Sequence, residues 1–242
     1  MSVYILVHGS WHGGWCWRKV ASRLQAQGHT VYAPDLPGHG SDKTPIRNIT
    51  LDSYVHAVCR ILDEQIEPAV LVGHSRGGIV ISQTAEVRQN QIKSLIYLAA
   101  FLLRPGESMM QLAVQDTDSL IPPNLVFSED RSYHMIKPQN ILRDVFYGDC
   151  ADEDVEDAIS RLVPEPTSPI ETPLVLSEEH YGRVPRNYIG TLQDRAVSPM
   201  LQQRMTRAEP CRRVVWMDTS HSPFYSKPDQ LTNHLIAFGG LQ

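Results

Sequence analysis

The chain has 242 residues, 42% of them hydrophobic and 20% charged, which suits a soluble globular protein with one large α/β domain or two small ones. A formal charge of −5, an isoelectric point near 6.0 and the lack of any Lys/Arg cluster argue against nucleic acid as a partner. Cys16, Cys59, Cys150 and Cys211 are scattered and form no CxxC pair, so reduced, mostly buried thiols are expected rather than a disulfide framework.

The opening MSVYILVHGSWHGG has no basic n-region and too short an apolar run for a signal peptide. The longest apolar stretch, Leu95 to Leu103, is far below membrane-spanning length. A cytoplasmic protein with no membrane partner is the expectation.

Val3 to Val7 is a continuous apolar run ended by His8-Gly9, the pattern of a strand covered on both faces. Trp15 to Gln27 reads as a helix stopped by Gly28, and Thr30 to Ala33 as a short strand. Leu51 to Gln65 has helical spacing with Thr50 as its N-cap. A strand at Ala69 to Val72, a helix from Gly77 to about Arg88 and a strand at Ser94 to Ala100 follow. Between about Pro105 and Pro185 the chain is rich in Pro, Asp and Glu. Short helical stretches are expected there at Met109 to Val114, Asn140 to Phe146 and Asp152 to Leu162, with no strand. The rhythm then returns with strand Arg186 to Thr191, helix Pro199 to Ala208, strand Val214 to Met217 and helix Pro228 to Phe238. Alternation of this kind predicts βαβ units in a mostly parallel, doubly wound sheet. The expected organisation is an α/β core over 1–104 and 186–242, with 105–185 inserted as a helical cap or lid.

One decapeptide, LVGHSRGGIV at 71–80, carries the chemistry. Gly73-His74-Ser75-Arg76-Gly77 follows a strand and precedes a helix, the context of a G-x-S-x-G nucleophile elbow. A plain glycine-rich turn is the bland alternative. In an elbow the serine takes unfavourable backbone angles, and side chains at the flanking positions would strike neighbouring backbone. The hydroxyl then stands at the carboxyl edge of the sheet, at a helix N-terminus. Such a serine needs a base and a third group that orients the base. Asp194 and His221 each lie just past a later strand, in the chain order serine, acid, histidine. Asp218 is the competing acid. His8, His12, His39, His56, His134 and His180 lie before the serine, in early elements or in the insertion. A tetrahedral intermediate would also need backbone N–H donors, expected from Ser10 and Arg76. The Arg76 side chain is expected to pair with a charge at the surface.

The run LVHGSWHGGWCW at 6–17 resembles the HGxxHGGWxW signature of the plant methylesterase and hydroxynitrile lyase branch of α/β-hydrolases, a signature that bacterial esterases share. Leu98-Ala99-Ala100-Phe101, Pro105-Gly106-Glu107 and Phe146-Tyr147-Gly148-Asp149-Cys150 also resemble that branch. The resemblance implies the α/β-hydrolase fold and a Ser75-His221-Asp194 triad with the Ser10 and Arg76 backbone donors. It implies no metal or organic cofactor, a small-molecule ester as substrate and, in many members, a homodimer. His12, Trp15 and Trp17 match the signature and read as structural. Thr219-Ser220-His221-Ser222-Pro223 departs from the plant pattern. In the lyases of the branch a threonine follows the first-strand histidine and a lysine follows the catalytic one; here those positions hold Gly9 and Ser222. The leading expectation is therefore a carboxylic ester hydrolase acting through an acyl-enzyme. The alternatives are a hydroxynitrile lyase that uses the triad as a base and a ligand-binding protein on a hydrolase scaffold.

Overall fold

The computed structural model describes residues 1–240. The first half of the chain forms β1 (Val3–Val7), α1 (Arg18–Ala26), β2 (Thr30–Tyr32), α2 (Leu51–Asp63), β3 (Ala69–His74), α3 (Gly77–Arg88) and β4 (Ile92–Leu98). Next come α4 (Met109–Ala113), β5 (Leu125–Phe127), β6 (Tyr133–Ile136), α5 (Leu142–Phe146), α6 (Asp152–Arg161), β7 (Glu165–Pro166) and α7 (Ser168–Glu171). The chain closes with β8 (Arg186–Thr191), α8 (Pro199–Ala208), β9 (Arg213–Met217), α9 (Pro223–Ser226) and α10 (Pro228–Gly239).

Six strands make one parallel sheet in the order β2-β1-β3-β4-β8-β9. The chain moves outward from β1 to β2, then crosses back to β3 on the other side of β1. Ligands bind at such a reversal, outside the carboxyl ends of the strands. Pairing of Val7 with Gly73 sets the ends of β1 and β3 level, so the loops bearing Ser10 and Ser75 start side by side.

Alternation along each strand builds two cores. Ile5, Val7 and Leu71 pack on one face with Tyr54, Val58 and Leu62 of α2 and Ile79 and Val80 of α3. Tyr4, Leu6, Val70 and Val72 pack on the other with Val20 and Leu24 of α1 and Leu231 and Leu235 of α10. With both faces covered, the central strands read as unbroken apolar runs rather than as alternating ones.

The ends of the elements follow local chemistry. Thr50 caps α2 by accepting from the Ser53 N–H, in a reciprocal capping box. Gly28, at φ +82°, takes the left-handed turn that stops α1. Strand β4 stops at Leu98 instead of reaching Ala100, because Ala99 turns to φ +45°. The first helix also differs from expectation: Gly14–Trp17 is a tight 3-10 turn and the α-helix begins at Arg18.

A larger difference lies between β4 and β8, where no strand was expected. The three short helices form there at nearly the expected places, but β5, β6 and β7 add a small antiparallel sheet. Val126 pairs with Met135, and His134 with Glu165. These strands are too short for alternation to register in the sequence, and a proline within the shortest argues against a strand there.

The turn between β3 and α3 is tightly packed against backbone. A Cβ on Gly73 would lie 2.6 Å from the Gly77 carbonyl oxygen, and one on Gly77 would lie 2.7 Å from that of Val7. Gly77→Ala should therefore push α3 away from β1 and destabilise the fold by roughly 1–3 kcal/mol. The measurement is the urea midpoint at constant m-value; an unchanged midpoint would show that the junction has slack.

Candidate active site

Ser75 sits at φ +53°, in the left-handed region that a residue with a side chain occupies at a cost. Its backbone is pinned from both sides. The Ser75 N–H donates to the Leu98 carbonyl (3.2 Å), and the Ser75 carbonyl accepts from Gly78 (3.1 Å) and Phe101 (3.1 Å). The corner is thus locked by α3 and by the chain leaving β4.

Asp194 and His221, from the loops after β8 and β9, meet in the structure. His221 Nδ1 donates to Asp194 Oδ2 at 2.7 Å, with both side chains buried. Thr191 Oγ1 (2.8 Å) and Gln202 Nε2 (3.1 Å) donate to the same oxygen, while the Ala196 and Val197 N–H groups donate to Oδ1 (2.7 and 2.9 Å). This carboxylate has one orientation open to it, and that orientation fixes the imidazole. Asp218 is exposed and accepts from Gln193 instead. The His74 ring lies 4.4 Å from the His221 ring, centre to centre, and His74 Nε2 donates to the His221 carbonyl at 2.9 Å. The residue before Ser75 therefore ties the elbow to the histidine loop. Ser75 Oγ makes no hydrogen bond to His221, whose ring is bonded to Asp194.

Ser10 and Arg76 are buried, and their backbone N–H groups donate to no acceptor among the described residues. Buried N–H groups are rarely left unpaired, and this pair lies beside Ser75. Gly9 makes the approach possible: a Cβ there would lie 2.9 Å from Ser75 Cβ.

Buried histidines support this region. His8 Nδ1 donates to the Gly9 carbonyl (2.8 Å) while its Nε2 accepts from the Leu36 N–H (3.1 Å). His12 Nδ1 donates to the Ser10 carbonyl (2.7 Å) and its Nε2 accepts from Tyr147 Oη (2.7 Å). Each ring therefore needs one proton, and burial enforces that: His12 is lowered to about 4, and His8 and His74 lie well below the usual histidine value.

The Arg76 side chain corrects the expectation of a surface ion pair. It is fully buried, with Nε 2.8 Å from Glu165 Oε1 and the guanidinium 4.4 Å from the centre of the Tyr54 ring. Nη2 donates to the Gly9 carbonyl at 3.0 Å. The contact with Glu165 is ionic and not aligned as a hydrogen bond. Glu165 Oε2 accepts from the Trp11 N–H and from His39 Nε2, both at 2.8 Å. Burial pushes the Glu165 carboxyl up, but the charges of Arg76 and His39 outweigh it and hold the group down to about 2. Nothing local in the sequence marks Glu165, because its partners come from three distant loops.

Between the sheet and residues 109–170 lies a small cavity that reaches Ser75. Its wall is mostly apolar (Trp11, Phe101, Met109, Met110, Ile121, Leu125, Ile170), with Asp116 and His134 as polar members. Of the other apolar residues between β4 and β8, Leu112 packs into the core and Val126 is exposed. A larger hollow lined by Arg104, Glu107 and Arg204 contains none of these catalytic candidates.

The fold and the site define an α/β-hydrolase. Residues 4–234 match the alpha/beta hydrolase family, and the chain belongs to it. It is 31% identical to methylesterase 2 of Arabidopsis thaliana, over 97% of this chain and 94% of that one. It is also 31% identical to a pyrethroid hydrolase of Sphingobium wenxiniae, over 97% of this chain and 86% of that one. A crystal structure of a pyrethroid hydrolase from Sphingobium faniae superposes with a TM-score of 0.88 at 28% identity, covering 99% and 97% of the two chains. Against three longer chloroplastic relatives of the methylesterase group from Arabidopsis thaliana, the chain spans 63%, 56% and 55% of their length. No helix among the described residues is long and apolar enough to cross a membrane.

The buried titratable groups set the acid stability. Histidines held below the ordinary 6.5, to about 4 for His12 and His134, stay neutral in the fold but take up protons in the unfolded chain. The unfolded state then binds more protons, so stability falls as pH drops from about 6.5 toward 4. Glu165, lowered from 4.5 to about 2, adds stability above its unfolded value that is lost between the two. Both effects have the same sign. Tm should fall by at least about 5 °C between pH 7 and pH 4.5; calorimetry showing an unchanged or higher Tm at the lower pH would contradict this.

Proposed function

We propose that the protein is a serine hydrolase of small carboxylic esters, with Ser75, His221 and Asp194 as the triad and the Ser10 and Arg76 N–H groups as the oxyanion hole. The observation that carries the reading is the His221–Asp194 hydrogen bond at the strand ends, beside a serine held at φ +53°. The relatives named as methylesterase and pyrethroid hydrolase support ester chemistry. The apolar cavity suits an ester with an apolar acid or alcohol part. Residues 105–185 act as a cap over that cavity.

In the first half-reaction His221 Nε2 takes the Ser75 proton as Oγ bonds to the ester carbonyl carbon. The carbonyl electrons move to its oxygen, which the two N–H groups stabilise. When the C–O bond to the alcohol breaks, His221 returns its proton to the leaving oxygen. In the second half-reaction a water gives its proton to His221 and attacks the acyl carbon; the acid departs and Ser75 regains its proton. Asp194 stabilises the imidazolium in both halves without itself being protonated.

Ser75→Ala should abolish turnover of an aryl ester and leave the fold intact. A serine-reactive phosphonate followed by peptide mass mapping should place its adduct on Ser75. An adduct elsewhere, or an active alanine variant, would remove the nucleophile from this reading. Asp194→Asn should cost on the order of 10⁴ in kcat, whereas Asp218→Asn, altering an exposed group, should cost little. The opposite ranking would reassign the acid.

Ester hydrolysis is favoured over cyanohydrin cleavage by two neighbouring positions. Gly9 leaves the Ser75 corner unobstructed, since a side chain there would meet Ser75 Cβ. Ser222 is neutral and fully buried, so a departing cyanide would meet no positive charge from that position. The protein should hydrolyse esters and leave mandelonitrile uncleaved, and Gly9→Thr should depress ester turnover. Efficient mandelonitrile cleavage without ester turnover would reverse the assignment.

A further inference from the structure

We propose that Glu165 of strand β7 and the side chain of Arg76 are positioning residues that aim the oxyanion hole, an inference that rests on the hydrolase reading above. The central element is a single peptide unit. The Gly9 carbonyl and the Ser10 N–H belong to the same planar trans peptide and point in opposite directions. Arg76 Nη2 and His8 Nδ1 both donate to that carbonyl, at 3.0 and 2.8 Å. Holding the carbonyl in this way fixes where the Ser10 N–H points. A cationic donor on the carbonyl also polarises the peptide and strengthens the hydrogen bond that its N–H can give.

Arg76 therefore serves both halves of the hole. Its main chain supplies one donor, and its side chain aims the other. The guanidinium would have no such fixed direction on its own, being a long side chain with several rotamers. Glu165 and Tyr54 supply the direction, through the 2.8 Å ionic contact and the ring face 4.4 Å away.

Glu165 acts on the loop after β1 a second time. Trp11, the residue after Ser10, is held at φ +61°, a strained angle for a bulky side chain. Its polar groups are all engaged by residues from the 134–165 region. The Trp11 N–H donates to Glu165 Oε2 (2.8 Å), its carbonyl accepts from Val163 (3.0 Å), and its indole N–H donates to the His134 carbonyl (3.2 Å). Glu165 thus touches the oxyanion loop at Trp11 and the elbow at Arg76, and lies where it sets the distance between them. His39 Nε2, donating to Oε2 at 2.8 Å, completes its coordination.

The test uses the full chain and compares Glu165→Gln, Arg76→Met and the double variant with the parent. The readouts are kcat and KM on p-nitrophenyl butyrate, Ki for a trifluoromethyl ketone of matching chain length, and Tm. Both single variants keep the backbone N–H groups but lose their aim. Each should lower kcat about 10- to 100-fold, with KM changing less than about threefold. The ketone forms a tetrahedral adduct whose oxygen occupies the hole, so its Ki should rise by a similar factor. Removing Glu165 leaves the guanidinium buried without its carboxylate, and removing Arg76 leaves Glu165 with His39 as its remaining partner, so the single variants should also lose Tm. The double variant removes both charges and should recover Tm without recovering kcat. Recovery of kcat together with Tm would show that the pair is only structural and overturn the proposal. So would single variants with unchanged kcat and ketone affinity. A parent protein that turns over no ester and leaves Ser75 unlabelled by phosphonate would overturn the hydrolase reading itself, a result distinct from either.

Discussion

The structure depends on how closely three backbone segments approach at the carboxyl edge of the sheet. The loop after β1 runs against Ser75, the start of α3 runs against the end of β1, and Phe101 closes over the turn from the far side. Glycines occupy the contacts because a Cβ at Gly9, Gly77 or Gly78 would fall 2.9, 2.7 or 2.2 Å from its nearest neighbour. This crowding holds Ser75 in a left-handed conformation and leaves buried N–H groups on either side of it unpaired. An uncrowded turn would relax to ordinary angles and turn those groups toward water or toward other backbone.

A junction this tight excludes water, so its polar groups must satisfy one another. The neutral histidines do so by dividing their ring nitrogens between a donor and an acceptor: His8 between Gly9 and Leu36, His12 between Ser10 and Tyr147. One buried ionic cluster gathers Arg76 and His39 on Glu165, and Asp194 sits among its own donors. Low dielectric makes each of these arrangements directional, because an alternative rotamer would strand a polar group. Rigidity at the candidate site thus comes from the same burial that makes the region costly to assemble.

The parts of this arrangement that were legible in the sequence are those with a local signature. Val3–Val7 and residues 69–72 are apolar runs because both faces of their strands are covered, and the Gly-x-Ser-x-Gly turn shows between a strand and a helix. Asp194 and His221 stood out by following strands, and the fold brings them to 2.7 Å. What was not legible is long-range. Arg76 reads as a surface residue because arginine usually is one, and its buried partner Glu165 lies beyond α3, β4 and most of the insertion. Thr191 and Gln202, which hold Asp194, are polar residues without a spacing rule. Strands β5, β6 and β7 escaped notice because strands so short carry almost no period.

The buried Arg76–Glu165 pair bears on what the segment between β4 and β8 can do. An ion pair taken fully out of water recovers its desolvation cost only when the geometry is good, and an apolar pair of the same volume often serves stability as well or better. Here the Nε–Oε1 contact is short but poorly aligned, so stability alone is a weak account of its presence. What an apolar pair could not do is donate to the Gly9 carbonyl and accept from Trp11 at once. The same contacts constrain motion. Swinging β7 outward would expose Trp11, strand the Glu165 charge and free the guanidinium together. Strand β7 is therefore tied at once to the loop after β1 and to the turn before α3.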